Sequence, residues 1–139
     1  MVIDFHTHAF PDAIAKRAIS GLVKACNNIY YPCTDGTAFD LKQKMKAFGV
    51  DISVVMPVVT KPSQTKTVNE WAKAITDGTL ISFGGIHPDT DDYKRDIDFV
   101  SSLGLPGIKL HPEYQNFTVD APEMLKVTRI IRTCLKAIN

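Results

Sequence analysis

The sequence predicts an α/β protein built from parallel βα repeats. Four short apolar segments end in a proline or a polar residue, as strands do: Val2–His6, Ile52–Met56, Leu80–Ile86 and Gly107–His111. Between them the hydrophobic spacing changes to that of an amphipathic helix. The last three segments begin about 28 residues apart, which is the length of one βα unit. Such alternation favours right-handed crossovers and a parallel sheet.

Five helices are predicted from apolar stripes and boundary residues. The stripes are Ile14, Ala18, Leu22; Leu41, Met45, Phe48; Val68, Trp71, Ala72, Ile75; Tyr93, Ile97, Val100; and Met124, Thr128, Ile131, Leu135. Thr37-x-x-Asp40 resembles a capping box, so the second helix is expected to begin there. Gly49, Gly78 and Gly104 stand where C-cap glycines belong.

Composition indicates one ordinary globular domain. The 139 residues are 45% hydrophobic and carry a net charge of +1, which gives no basic stripe for nucleic acid. No signal peptide or membrane span is expected. Cys26, Cys33 and Cys134 are odd in number and form no CxxC pair, so they favour a reducing, cytoplasmic location.

The strongest chemical signal is His6-Thr7-His8. Residues two apart on a strand point to the same side, so both imidazoles can reach one ion. Regular alternation separates two sets of side chains: Val2, Asp4, His6 and His8 on one side, and Ile3, Phe5 and Thr7 under a helix layer. A pair of surface histidines at a strand end is the simpler alternative, and the spacing alone leaves both open.

Further polar residues stand near the ends of the later strands. Lys109 and His111 alternate with Ile108 and Leu110, so we expect them to share a cavity with His6. Lys109 could pair with an anionic substrate, bridge two metals after carbamylation, or extend to solvent. His87 ends the third segment, which puts every histidine of the chain at a strand end.

Two motifs carry a family resemblance. Ile3-Asp-Phe-His-Thr-His-Ala-Phe-Pro-Asp12 and Gly107-Ile-Lys-Leu-His-Pro-Glu-Tyr-Gln-Asn-Phe117 together resemble the amidohydrolase-related metal-dependent hydrolases, which have the TIM-barrel fold. The resemblance implies His6 and His8 as ligands of a divalent metal, with zinc expected. It also implies catalytic roles for Lys109 and His111 and a substrate pocket that includes Asp4 and His87. The implied reaction is metal-assisted hydrolysis, or decarboxylation, of a small carbonyl or carboxylate compound.

The resemblance runs to about Leu125, and the family's later ligands have no counterpart after it. A whole (β/α)₈ barrel takes about 250 residues, so the expected architecture is about half of a TIM barrel, in one truncated domain over residues 1–139. A non-catalytic homologue that binds metal or protein is the alternative function, and a small doubly wound binding domain is the alternative fold. Uncovered sheet edges favour a homodimer that completes the barrel over a flattened monomer.

Overall fold

The chain is α/β, with parallel strands and helices, in a computed structural model that describes residues 1–136. The side chains of Glu123, Lys126 and residues 132–136 lie outside that description, and with them the predicted positions of Leu135 and Cys134. The residues form two compact units. The first contains Met1–Pro57 and Ile75–Ser82, and the second contains Val58–Ala74 and the described chain from Phe83 onward.

The predicted elements are present with small changes of boundary. The strands are β1 (Ile3–Thr7), β2 (Ile52–Val55), β3 (Leu80–Ser82), β4 (Gly84–Gly85) and β5 (Ile108–Lys109). The helices are α1 (Asp12–Ala25), α2 (Ala38–Phe48), α3 (Thr65–Ile75), α4 (Tyr93–Ser102), α5 (Pro112–Gln115) and α6 (Pro122–Lys136). The third predicted strand is interrupted at Phe83, and α5 was not predicted. No helix within residues 1–136 is long and apolar enough to cross a membrane.

Both sheets pair neighbouring strands in parallel. In the first unit the order is β1-β2-β3, and in the second β4 pairs with β5. Strands that neighbour each other in sequence order, joined by helices, are what βα repeats produce. The α/β class is therefore confirmed, whereas the closure of these strands into half a barrel stays a prediction.

The predicted alternation along β1 is wrong in part. Asp4 lies opposite Ser53 and Thr7 lies opposite Val55. The chain therefore advances by three residues along β1 where it advances by two along β2. One extra residue therefore interrupts the alternation, as in a β-bulge. Thr7 is buried, whereas Ile3 and Phe5, expected under a helix layer, are 50% and 62% exposed.

Helix ends follow the predicted chemistry at two glycines and not at the third. The Thr37 hydroxyl accepts from the Asp40 N–H at 3.0 Å, and α2 ends at Gly49 with a left-handed φ of 69°. Gly104 also has a positive φ, of 70°, just after α4. The expectation for Gly78 is wrong, because α3 ends at Ile75 and Gly78 is not among the positive-φ glycines. The turn there is made instead by a neighbouring aspartate.

That aspartate is Asp77, whose carboxylate organises the turn into β3. It accepts from the backbone N–H groups of Thr79 at 2.7 Å and Leu80 at 2.9 Å, and it pairs with the Lys42 ammonium. These contacts, with Lys42 the largest, hold the pKa of Asp77 well below its usual value of 3.8. An Asx turn thus replaces the expected glycine cap.

The core of the second unit joins α3, α4 and α6. Its buried members are Ala72, Ile86, Ile97, Val100, Leu105, Met124 and Val127. Ile108 and Leu110 pack against this cluster, as the alternation of that strand predicts. On α6 the apolar stripe includes Val127, which is 1% exposed, in place of the predicted Thr128, which is exposed.

A buried carboxamide fixes α3 against β4. Asn69 is fully buried; its Oδ1 accepts from the Gly85 N–H at 2.7 Å and its Nδ2 donates to the Gly85 carbonyl at 2.8 Å. Nδ2 also donates to the Thr65 carbonyl at 2.7 Å. A Cβ at Gly84 would lie 2.9 Å from Asn69 Oδ1 and 2.5 Å from a Val100 methyl, so this close approach needs glycine.

We expect Asn69→Ala to lower the free energy of unfolding by about 3 kcal/mol, because it leaves the buried N–H and carbonyl of Gly85 without partners. Urea unfolding followed by circular dichroism measures the change. Glu70→Ala, one residue further along α3 and exposed, is the control and should change it by less than about 0.5 kcal/mol. Equal effects of the two variants would contradict a special role for the carboxamide.

The lowered pKa of Asp77 predicts that the stability of the protein depends on pH. Because its pKa is lower in the folded chain than in the unfolded chain, its stabilising effect is present above about pH 4 and is lost as the pH falls below that value. Asp77→Asn should therefore lower the free energy of unfolding at pH 7. At pH 3 the free energies of unfolding of the variant and the parent protein should differ by less. The Lys42 and Asp77 side chains are 40% and 44% exposed, so solvent screening limits the effect to about 1 kcal/mol.

Urea midpoints of both proteins at pH 7 and pH 3 make the comparison. Glu70→Gln removes an exposed helix carboxylate 3.8 Å from Lys66 and serves as the control, with a small difference expected at both pH values. If the urea midpoints of Asp77→Asn and the parent protein differ by the same amount at pH 3 and pH 7, the lowered pKa of Asp77 does not contribute to stability.

Candidate functional site

An open cleft of about 560 Å³ runs beside β1 in the first unit. Asp4, His6, Thr7 and His8 line it from β1, and Leu41, Met45 and Phe48 line it from α2. Its volume falls in the range of about 300–1,000 Å³ typical of small-molecule sites. Three sequence-predicted site residues, Asp4, His6 and His8, therefore border one cleft.

The extra residue in β1 corrects the predicted side of Asp4. Asp4 lies opposite Ser53 and Thr7 lies opposite Val55, and these two positions of β2 face one side of the sheet. Asp4 therefore shares a side with Thr7, whereas regular alternation puts them on opposite sides. Ser53 lines the same cleft as Asp4. The side that His6 and His8 face relative to Thr7 stays a prediction.

The two imidazoles lie close together, and one lies beside a backbone carbonyl. The ring centroids of His6 and His8 are 5.0 Å apart, with an angle of 60° between the ring planes. His8 Nδ1 lies 3.1 Å from the Met56 carbonyl oxygen. A carbonyl oxygen only accepts, so a hydrogen bond here requires the proton on Nδ1, and a neutral imidazole in that tautomer carries its lone pair on Nε2. This is the arrangement in which metal-binding histidines are usually held.

Asp4 is oriented by its own strand. Its Oδ1 accepts from the backbone N–H of His6 at 3.2 Å, which is a local contact across the irregular part of β1. The contact fixes the carboxylate beside the first histidine of the pair. Asp4 therefore contributes negative charge to the cleft next to His6.

Cleft residues that sequence reasoning missed include Cys33, Lys44 and Ser53. Cys33 comes from the loop before α2. Lys44 lies on α2 and is half-buried. Ser53 is 1% exposed within β2. It is a polar residue in an otherwise apolar strand, and that feature of the sequence could have identified it.

The loop that carries Cys33 is anchored at its end. The Gly36 carbonyl accepts from the Phe10 N–H at 2.8 Å, and Gly36 has a φ of 90° that favours glycine. Asp35 accepts from the Thr37 N–H at 2.8 Å and from the Thr37 hydroxyl at 2.7 Å. These hydrogen bonds, the backbone one first, lower the pKa of Asp35, and the positive charge of Lys44 contributes in the same direction.

A complete metal centre is not assembled among the described side chains. No group of three or more histidine, cysteine, aspartate or glutamate side chains there is placed to hold one ion. Zinc sites in enzymes normally use three protein ligands and one open position. His6 and His8 therefore fit a two-ligand half-site, and the described residues do not fit a closed zinc centre.

The other predicted site residues belong to the second unit. His87 is 5% exposed, and its Nδ1 accepts from the Asp89 N–H at 3.1 Å and lies 3.8 Å from the Asp89 carboxylate. Lys109 ends β5, where it is opposite Gly85. His111 caps α5, with Nδ1 3.4 Å from the Tyr114 N–H.

A second buried carboxamide connects the segments that carry these histidines. Gln115 Nε2 donates to the carbonyls of Ile86, at 2.8 Å, and Val59, at 2.7 Å. Its Oε1 accepts from the His111 N–H at 2.7 Å. Gln115 thus ties the residue before His87 to His111 through one side chain. This link was not predicted from the sequence, since α5 itself was not.

Comparison with known proteins gives no relative for this chain. No family model, no curated protein and no solved structure matches it. The residues and their geometry are therefore the basis for assigning a function.

Proposed function

We propose that the chain is a metal-dependent hydrolase of the amidohydrolase type, with parallel βα units that form about half of a TIM barrel. In this proposal His6 and His8 hold a divalent ion, with zinc expected. The observation that carries the proposal is the His8 contact, in which Nδ1 donates to the Met56 carbonyl and Nε2 is the nitrogen suited to a metal. The sequential parallel order β1-β2-β3 supports the barrel.

When bound, a divalent ion supplies Lewis acidity and activates water for hydrolysis of a small carbonyl or carboxylate compound, or assists its decarboxylation. The chain's own residues position the reactants in this proposal. Asp4 and His87 belong to the substrate pocket, while Lys109 and His111 act as catalytic groups toward the substrate. Gln115 supports this assignment by holding the backbone of His111 to that of Ile86, beside His87.

The alternative is a non-catalytic homologue that binds metal or protein. The absence of a third nearby ligand among the described side chains favours it over the hydrolase. Both functions share the metal half-site. They differ in whether the loaded protein turns over a substrate.

Replacing His6 and His8 together by alanine should abolish the binding of one Co²⁺ or Zn²⁺ ion per chain. The reason is that these imidazoles are the two ligands, and water fills the other positions, so the parent protein binds weakly. Equilibrium dialysis gives the stoichiometry, and the visible spectrum of bound Co²⁺ reports nitrogen ligation. Unchanged stoichiometry and affinity in the double variant would place the ion elsewhere.

Lys109→Met is the control for this experiment, because Lys109 is not a metal ligand in the proposal. It should retain the ion and its spectrum. Hydrolysis of p-nitrophenyl acetate by the loaded parent protein, lost in Lys109→Met and in the double histidine variant, would favour the hydrolase. Metal bound by the parent protein and by Lys109→Met, with equal background rates in all three proteins, would favour the non-catalytic alternative.

We also propose a cytoplasmic protein that acts on a small molecule, without nucleic-acid or membrane partners, and that forms a homodimer. Cys26 and Cys33 are exposed thiols outside any disulfide, which supports a reducing compartment. Val2, just before β1, is 53% exposed, and Ile3 and Phe5 within β1 are 50% and 62% exposed. β1 is at one end of the order β1-β2-β3, so its outer edge supports pairing with a second copy.

Phe5→Glu should convert the proposed dimer to a monomer, because a buried carboxylate at the interface would lack a partner. Light scattering at increasing protein concentration measures the mass. Phe39→Glu changes another exposed aromatic residue, 72% exposed on α2, and should leave the dimer intact. A constant mass near 15.4 kDa for the parent protein would refute the dimer.

A further inference from the structure

Cys33 lines the cleft beside β1 together with His6 and His8. All three residues are exposed, and Cys33 lies outside any disulfide, so an ion from solvent can reach each of them. Imidazole and thiolate are ligand types that zinc accepts together in proteins. The cleft therefore contains a third side chain of the kind that the two-histidine half-site lacks.

The loop that carries Cys33 is fastened next to the end of β1. The Phe10 N–H donates to the Gly36 carbonyl at 2.8 Å, with His8 two residues before Phe10 and Cys33 three residues before Gly36. Residues 29–33 are exposed and belong to no helix or strand. A local change in this exposed segment therefore moves the thiol near the histidines while the Phe10–Gly36 contact stays in place.

The charges around the cleft favour a cation. Asp4 and Lys44 carry opposite charges on its lining, and Asp4 is held beside His6, whose backbone N–H donates to its carboxylate. The positive charge of Lys44 helps to lower the pKa of Asp35, so a carboxylate already balances that ammonium. A thiolate at Cys33 adds a second negative charge to that of Asp4. A divalent ion in the cleft therefore meets two negative groups.

We propose that Cys33 is the third protein ligand of the ion held by His6 and His8. This inference rests on the proposed half-site: the thiolate takes one of the positions otherwise left to water, and the thiol proton leaves to solvent. The described side chains do not converge on one ion, so binding draws the exposed loop toward β1. Two imidazoles and a thiolate favour zinc or cobalt over magnesium, which prefers oxygen ligands.

Titration of freshly reduced protein with Co²⁺ tests the thiolate directly. A thiolate bound to Co²⁺ gives an intense charge-transfer band in the near ultraviolet, which nitrogen and oxygen ligands do not give. The parent protein should show this band with one ion per chain. Cys33→Ser should lose the band and bind Co²⁺ at least about tenfold more weakly, because a ligand is removed. Cys26→Ser changes another exposed thiol and, as the control, should keep both the band and the affinity.

Alkylation by iodoacetamide gives a second readout. Zn²⁺ at about ten times its Kd should slow the modification of Cys33 about tenfold, because a thiolate bound to metal does not attack the reagent. Cys26 should react at an unchanged rate, and tandem mass spectrometry distinguishes the two sites. Mg²⁺ at the same concentration should not protect Cys33. Zn²⁺ should also fail to protect it when His6 and His8 are both replaced by alanine.

These experiments distinguish the role of Cys33 from the half-site itself. One bound Co²⁺ that requires both histidines, without a thiolate band and with equal affinity in Cys33→Ser, would overturn the role of Cys33 and leave the half-site intact. A thiolate band that persists in Cys33→Ser would assign the thiolate to another cysteine and overturn this proposal alone. A band that persists in the double histidine variant, or no binding of Co²⁺ by the parent protein, would overturn both.

Discussion

The reciprocal hydrogen bonds between the Asn69 carboxamide and Gly85 are the contact on which the second unit depends. β4 and β5 are two residues long each, so their own ladder leaves much of the backbone without strand partners. Asn69 gives Gly85 a donor and an acceptor, as an adjacent strand would. Gln115 donates to the carbonyls of Ile86 and Val59 and accepts from the His111 N–H. Side-chain amides thus replace sheet hydrogen bonds where the strands are short.

The first unit uses a different solution around its cleft. Here a three-stranded sheet pairs the backbone, and polar side chains line the cleft. Strand β1 contributes an acid and two imidazoles, while α2 contributes an apolar stripe and one cation.

Local rules predicted most of the elements in this chain. The Thr37 cap and the Gly49 end of α2 follow from short-range chemistry that a few residues specify. The packing of Ile108 and Leu110 follows from the period of a regular strand. Ser53 and Lys44 could not be assigned to a site, because only tertiary packing brings α2 beside β2. The amide links of Asn69 and Gln115 were missed for the same reason, since their partners are distant in sequence.

The bulge in β1 also affects which mutations this site can tolerate in evolution. Substitutions alter which groups line the cleft, but they do not alter which side of the sheet a strand position faces. The extra residue lies between two fixed pairs, Asp4 with Ser53 and Thr7 with Val55. Losing one residue there would give a regular ladder and would leave the side chains after Thr7 on their present side of the sheet. A three-nucleotide deletion in this segment could therefore be tolerated without reversing the strand beyond it.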